Sequence, residues 1–349
     1  MPNIYDLVTA QNISDFVVTS NQNKTPYLGA ALFPSDKQLG LNLSYLKGRG
    51  GLPVALKPSA FDAQAPVRDR IGVSKVETEM PFFRERMTVK EQERQQINTF
   101  LAGGQTQMAD QVVKFVFDDV KTLVDGADVT AERMRMQLLS TGKIQIAAEG
   151  AQHEYDYQLN DDQFEELTGT DAWTDAASTP VQDILAWKKE VRVRTGVEPT
   201  RAILTSATFA LIAQNETIRK DLNPLGAQNI ILTDEDVANY LSRKTKIQFA
   251  IYDDMFIDEA GASKSFFPDG VVTLLPPGTL GKTMYGTTPE ESDLMTGAAQ
   301  ADVSIVNRGV AVTTHKIVHP VNVETIVSEI VLPSFEQAGK IFIAKVATI

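Results

Sequence analysis

The 349-residue chain has no cysteine, so neither disulfides nor thiolate-bound metal can hold its fold. Packing and partners must do that work. Histidine is nearly absent too: only His153, His315 and His319 occur. HKIVH spaces the last two four apart, as a helical metal pair would, but its β-branched run and Pro320 read as a strand. Residues four apart in a strand stand about 13 Å from each other, too far to ligate one ion. No apolar run approaches a membrane span, and MPNIYDLVTAQNISDF lacks the basic flank and apolar stretch of a leader, so the reading is a soluble protein made in a cytoplasm. A cationic excess is also missing. The net charge of -12 argues against a surface whose task is gripping nucleic acid.

Catalytic signatures are equally scarce. There is no GxSxG elbow and no thiol nucleophile. PPGTLGKT (276–283) ends like a phosphate loop, but Pro276 stands where the first Gly belongs, and adjacent prolines lack the N–H donors that cradle phosphate. The acidic stretch from His153 to Pro180 does not have the spacing of a calcium loop and reads as solvated surface. Asp253, Asp254, Asp258 and Glu259 could line a cleft, but a solvated loop is the stronger reading. No catalytic residue, cofactor or metal is expected, and the chain is read as a non-enzyme.

What the sequence does contain is a long apolar stripe. From Met108 to Gly142, Met108, Val112, Val116, Val120, Leu123, Ala127, Ala131, Met134 and Leu138 follow one another in steps of three and four. The spacing predicts a helix over 108–141, about 50 Å long if unbroken. Glu132, Arg133 and Arg135 fall mostly off the stripe, and Gly142 suits the left-handed residue that ends a helix. Gly126 predicts a kink or brief break. Either a spine for an extended molecule or an ordinary two-segment core helix fits the pattern.

The first hundred residues have little core of their own. Short apolar clusters at 4–18 predict weak helical turns, Tyr27 to Phe33 is apolar, and LNLSYL (41–46) reads as a strand. Residues 47–87 carry glycines at 48, 50 and 51 and prolines at 53, 58, 66 and 81. They read as a two-stranded excursion, VALK out and GVSKVETEM back, which is marginal in water unless it lies on something. These hundred residues hold 12 Lys+Arg and 10 Asp+Glu, leaving 21 against 35 for the remainder. A slightly basic front and an acidic body can attract each other between copies. The expectation is that the loop docks on an adjacent subunit through Arg49, Arg68, Arg70, Arg84 and Arg86, whose planar guanidinium groups match carboxylates.

EQERQQINTF (91–100) predicts a short helix and KIQIAAE a strand after Gly142. From Val181 helices and strands alternate. A helix carrying Ile184, Leu185, Trp187 and Val191 ends near Gly196, RAILTS (201–206) is a strand, and Ser206 caps a helix through Ile212. A further turn holds Ile218 and Leu222. Thr233 with Asp236 starts another helix, and KIQFAIYDD (246–254) is a strand. The last quarter is strand-rich, at 270–276, 310–318, 321–333 and 339–346.

Four passages in this order resemble the major capsid proteins of lambda-type tailed bacteriophages: the loop of residues 47–87, ERMRMQLLSTGKIQI (132–146), KSFFPDGVVTLLPPGTLGKTMYGTTPEE (264–291) and HPVNVETIVSEIVLPSF (319–335). The turn Pro268, Asp269, Gly270 and the Leu332-Pro333 pair are the most specific parts. The resemblance implies an α+β chain with the tailed-phage and encapsulin capsid fold. Its parts would be an N-terminal arm (1–40), an extended β-hairpin loop (41–90), a peripheral domain on the spine helix (91–180, completed by strands of 311–349), and an axial α/β domain (181–310). It implies a head protein that self-assembles, as hexamers and pentamers, into the icosahedral shell around the double-stranded DNA of a tailed phage. DNA would be contacted non-specifically, with a portal and a decoration or scaffolding protein as further partners. There would be no membrane partner, and the virion capsid would be assembled in the host cytoplasm. An encapsulin-like compartment, or a soluble α/β enzyme or binding protein, is the alternative.

Overall fold

The computed structural model describes the chain apart from residues 1–8, 22–23, 48–73, 104–105, 149–150, 223–232, 298–300, 318, 320–321 and 349. The chain forms two compact units. One comprises Met1–Ser44, Glu77–Glu132 and Lys282–Ser334, the other Tyr45–Val76, Arg133–Gly281 and Phe335–Ile349.

A single helix, Thr106–Thr141, runs unbroken for 36 residues, about 54 Å at 1.5 Å per residue. The break expected at Gly126 does not occur. An added side chain there would meet open space, the Thr130 hydroxyl donates to the Gly126 carbonyl at 2.9 Å, and Val124 and Ala127 on either side are buried. Burial of the neighbours outweighs a penalty of about 1 kcal/mol for a helical glycine. Gly142 ends the helix at φ +74, its N–H bonded to the Leu138 carbonyl. Val120, Leu123, Ala127, Ala131, Met134 and Leu138 are buried, while the side chains of Met108, Val112 and Val116 lie outside what is described. Glu132 and Arg135 are buried as well, contrary to the sequence reading. The apolar arc is wider here than one stripe, because Met136 and Leu139 are also covered. Glu132 is accommodated by accepting the Gly29 N–H at 2.8 Å, a charge-assisted bond that replaces lost water.

In the first unit a six-stranded sheet runs in the order Ser35–Lys37, Thr283–Tyr285, Asn322–Pro333, Val310–Ile317, Asp302–Val306, with Phe82–Val89 also paired to Asn322–Pro333. Phe82–Val89, read from sequence as the end of the excursion, is thus a sheet strand, in register from Val323↔Val89 to Ile330↔Phe82. Side chains alternate across the sheet. Val89, Val323, Val327, Val312, Val310 and Val306 share one face and pack with Ile13 and Val17 of the helix Ala10–Asn21 and with Val120, Leu123, Val124 and Ala127 of the long helix. The opposite face presents Phe82, Arg84 and Arg86. The partner described for the strand Ser74–Glu79 is Asn42–Lys47, which buries Leu43 and Tyr45. VALK lies outside the described residues.

The second unit holds a five-stranded sheet in the order Phe164–Glu166, Phe342–Lys345, Val271–Leu275, Arg201–Leu204, Gln248–Ile251. Helices Pro180–Thr195, Ser206–Gln214, Glu216–Leu222 and Asp234–Thr245 contribute to its core. Pro180 opens its helix and Gly196, at φ +76, closes it. Thr233 and Asp236 form the expected capping box. For the helix beginning at Ser206 the cap is Thr205, not Ser206, its hydroxyl accepting the Thr208 N–H. Leu185 is 41% exposed, whereas Trp187 stacks between Trp173 at 5.9 Å and Phe342 at 5.6 Å. The acidic stretch is not uniformly solvated: Ala151–Asp156 pairs with Lys143–Ala148, and Gln163 and Trp173 are buried. The Trp173 indole donates to Asp183 at 2.9 Å, and burial pushes that carboxyl above its ordinary range.

Val120→Asp should cost on the order of 3–5 kcal/mol, because it puts an unpaired charge on a buried face. Denaturant melting is the check, and a normal midpoint would mean that the stripe does not carry the helix.

Candidate assembly surface

The strand Phe82–Val89 aims Phe82, Arg84 and Arg86 away from the core face by alternation. Arg84 bonds Glu290 at 2.6 Å and its guanidinium lies 4.7 Å from the centre of the Phe82 ring. Glu290 also accepts from Ser328, the residue opposite Arg84 in the sheet. Arg86 bonds Glu324 at 2.7 Å, and His315 on the other neighbouring strand reaches the second oxygen of that carboxylate at 2.8 Å. Each of these two arginines, expected from the sequence to reach a neighbouring subunit, meets a carboxylate of its own chain and keeps 46% and 71% of its side chain exposed. Both carboxylates lie more than 200 positions away, Glu290 on a helix and Glu324 on the adjacent strand, a pairing no local pattern reveals. Arg49, Arg68 and Arg70 lie outside the described residues.

Beside this strand, a tight seam holds the base of the hairpin. Met80 N–H donates to the Leu41 carbonyl at 2.9 Å, Thr287 N–H to the Gly40 carbonyl at 3.2 Å, and Gly40 N–H to the Thr287 hydroxyl at 3.3 Å. Gly286 sits where a Cβ would be 2.8 Å from the Gly40 carbonyl oxygen and 2.7 Å from Ile330. The helix Pro289–Thr296 follows, capped by Thr288 and tied down by its first turn: Glu290 to Arg84, Glu291 to Lys37 at 2.5 Å. Lys282 bonds Asp36 at 2.6 Å and holds that carboxyl below its ordinary range.

The turn Pro268, Asp269, Gly270 is fixed by hydrogen bonds on every side. Asp269 accepts from the Thr205 hydroxyl at 2.5 Å, Gly270 N–H donates to Thr208 at 2.8 Å, and the Gly270 carbonyl accepts the Val346 N–H at 2.7 Å. Gly270 is at φ +72, and a Cβ there would stand 2.2 Å from the Ala347 carbonyl oxygen. The turn leads directly into the strand Val271–Leu275.

The residues that could have carried chemistry are dispersed. Asp253 accepts the Ser206 N–H at the start of a helix, Asp258 pairs with Lys264 at 2.7 Å, and Glu259 pairs with Arg133 at 2.5 Å. Thr283, after PPGTLGK, enters a strand and not a helix, so the loop lacks the helix N-terminus a phosphate site uses. Among the described residues no group of three metal-ligating side chains converges, and no described helix is long and apolar enough to cross a membrane.

The model of the family described as phage major capsid protein E matches residues 15–346. The chain belongs to that family. It is a shell-forming phage capsid protein, and the virion capsid is its place. Among solved structures, a protein assigned as the capsid protein of an Escherichia coli CFT073 prophage aligns at TM-score 0.61 and 13% identity, covering 97% of this chain and 99% of the other. A phage-related protein of Bordetella bronchiseptica RB50 aligns at TM-score 0.58 and 12% identity, covering 97% of each chain. At such identities the likeness shows the mixed helix and strand capsid fold. No curated protein matches the sequence. In the capsid protein, the seam at Gly286 and the turn at Gly270 are two joints where an added Cβ would meet backbone within 3 Å.

Gly286→Ala should force the hairpin base off its seat at a cost of about 1–3 kcal/mol. Gly270→Ala should cost on the order of 3 kcal/mol, through both strain and the clash with Ala347. Urea midpoints measure both, and wild-type values would contradict the assigned geometry.

Proposed function

We propose that the capsid protein assembles, as hexamers and pentamers, into an icosahedral shell enclosing the double-stranded DNA of a tailed phage. Its work is structural, not catalytic. The observation that carries this reading is the family match over residues 15–346, supported by the paired strands Asn42–Lys47 and Ser74–Glu79. Residues 1–40 serve as the arm, 41–90 as the loop with its base, 91–180 with the strands of 311–349 as the peripheral part, and 181–310 as the axial part. Assembly takes place in the host cytoplasm, with a portal and a decoration or scaffolding protein joining the shell.

The net charge of -12 suits a container for DNA. Carboxylates facing the genome repel phosphates, so DNA is contacted non-specifically and stays free to leave. In the loop, Arg49, Arg68 and Arg70 supply positive charge that an acidic neighbour can accept. A single exposed pair is worth only about 0–1 kcal/mol, but the shell repeats it in every copy.

Arg68→Glu with Arg70→Glu should lower shell yield in sedimentation, most strongly at low salt, where charges are least screened. The hairpin base and both units should still fold. Equal shell yield for the wild type and the double variant at low and high salt would refute the docking role of the loop.

A further inference from the structure

Residues 167–179 join the edge strand Phe164–Glu166 to the helix Pro180–Thr195, and Ala172, Trp173 and Ser178 are their buried members. Two backbone bonds lay this strap on the sheet end: Leu167 N–H to the Lys345 carbonyl and Trp173 N–H to the Val346 carbonyl, both at 2.9 Å. The side chain of Trp173 completes the hold. Its ring stacks on Trp187, and its indole N–H donates at 2.9 Å to Asp183, half-buried in the first turn of the helix. The Trp187 indole donates in turn to Glu165. Two stacked rings thus bring two carboxylates together, and Glu165 and Asp171 both repel a charge on Asp183.

We propose that Trp173 and Asp183 form an acid-tightened clasp, which holds residues 167–179 more firmly on the five-stranded sheet once Asp183 takes up a proton from solvent. The inference is independent of the capsid reading. Some contacts favour the charged carboxylate: the helix N-terminus, the Trp173 indole and, at 3.4 Å, the Thr179 hydroxyl. Burial outweighs them, with Glu165 and Asp171 adding to it, and pushes the carboxyl above its ordinary range. Lys345, on the strand beside Phe164–Glu166, is held by Glu166 at 2.7 Å, and Arg194, further along the helix, lies 3.4 Å from Asp162. The folded chain therefore keeps the Asp183 proton at pH values where the unfolded chain has lost it. This contribution to stability is complete below the ordinary aspartate range and is lost as pH rises through the raised value. Asp36, held low by Lys282, has the opposite sign and fails in acid.

The test compares variants of the full-length chain, so that carboxyls common to all of them cancel. Asp183→Asn keeps an oxygen for the Trp173 indole and removes the titrating group. Its melting temperature relative to the wild type should be highest at pH 7 and should fall as the pH is lowered through the raised range. A difference that stays constant or grows in acid would overturn the clasp. Trp173 and Trp187 are the only tryptophans, so their emission reads the same place. Wild-type emission should titrate above the ordinary aspartate range. The step should move to lower pH in Glu165→Gln, which lifts the repulsion, and be lost in Asp183→Asn. Emission that stays flat in the wild type would overturn the proposal even if Asp183→Asn did not fold, and so would an unchanged step in a folded Asp183→Asn.

Discussion

Burial of the long helix is the constraint on which the rest of the structure depends. Its 36 residues thread through the sequence of both units, with Val120, Leu123 and Ala127 in the core of one and Met134 and Leu138 buried in the other. A helix of that length is not stable on propensity alone, and most of its stability comes from the faces it covers. The sheet of the first unit supplies one such face, through valines contributed by four strands, one of them, Phe82–Val89, more than 200 positions from the other three. The loop base, the seam and the capping helix Pro289–Thr296 are then positioned by the opposite face of that sheet. Function in such a protein lies in what the rigid faces leave uncovered.

Much of this was legible in the sequence, for local reasons. Step-three and step-four spacing marked the long helix to within two residues at its start, and Pro180, Gly196, Thr233 and Asp236 marked helix ends because capping is settled within one turn. Strands with clear alternation, such as Val310–Ile317 and Asn322–Pro333, also stood out. The resemblance to lambda-type capsid proteins agrees with the family, although sequence identity to the solved relatives is only 12–13%.

What the sequence could not give were the pairings. Phe82–Val89 looks like charged loop because Arg84, Glu85 and Arg86 interrupt it, and its partner strand lies some 240 positions on. Glu132 looks like a surface residue because it is charged and falls off the apolar stripe, and only the fold brings Gly29 to it. Gly126 looks like a break, since a local penalty is visible in sequence and the burial that outweighs it is not. The carboxylate partners of Arg84 and Arg86 likewise come from distant parts of the chain.

The central claim is that this chain completes itself only among copies of itself. Electron microscopy of the purified protein tests it most directly. Closed shells, rings or sheets of regularly repeated subunits are expected, whereas a uniform population of compact monomers over a wide concentration range would overturn self-assembly.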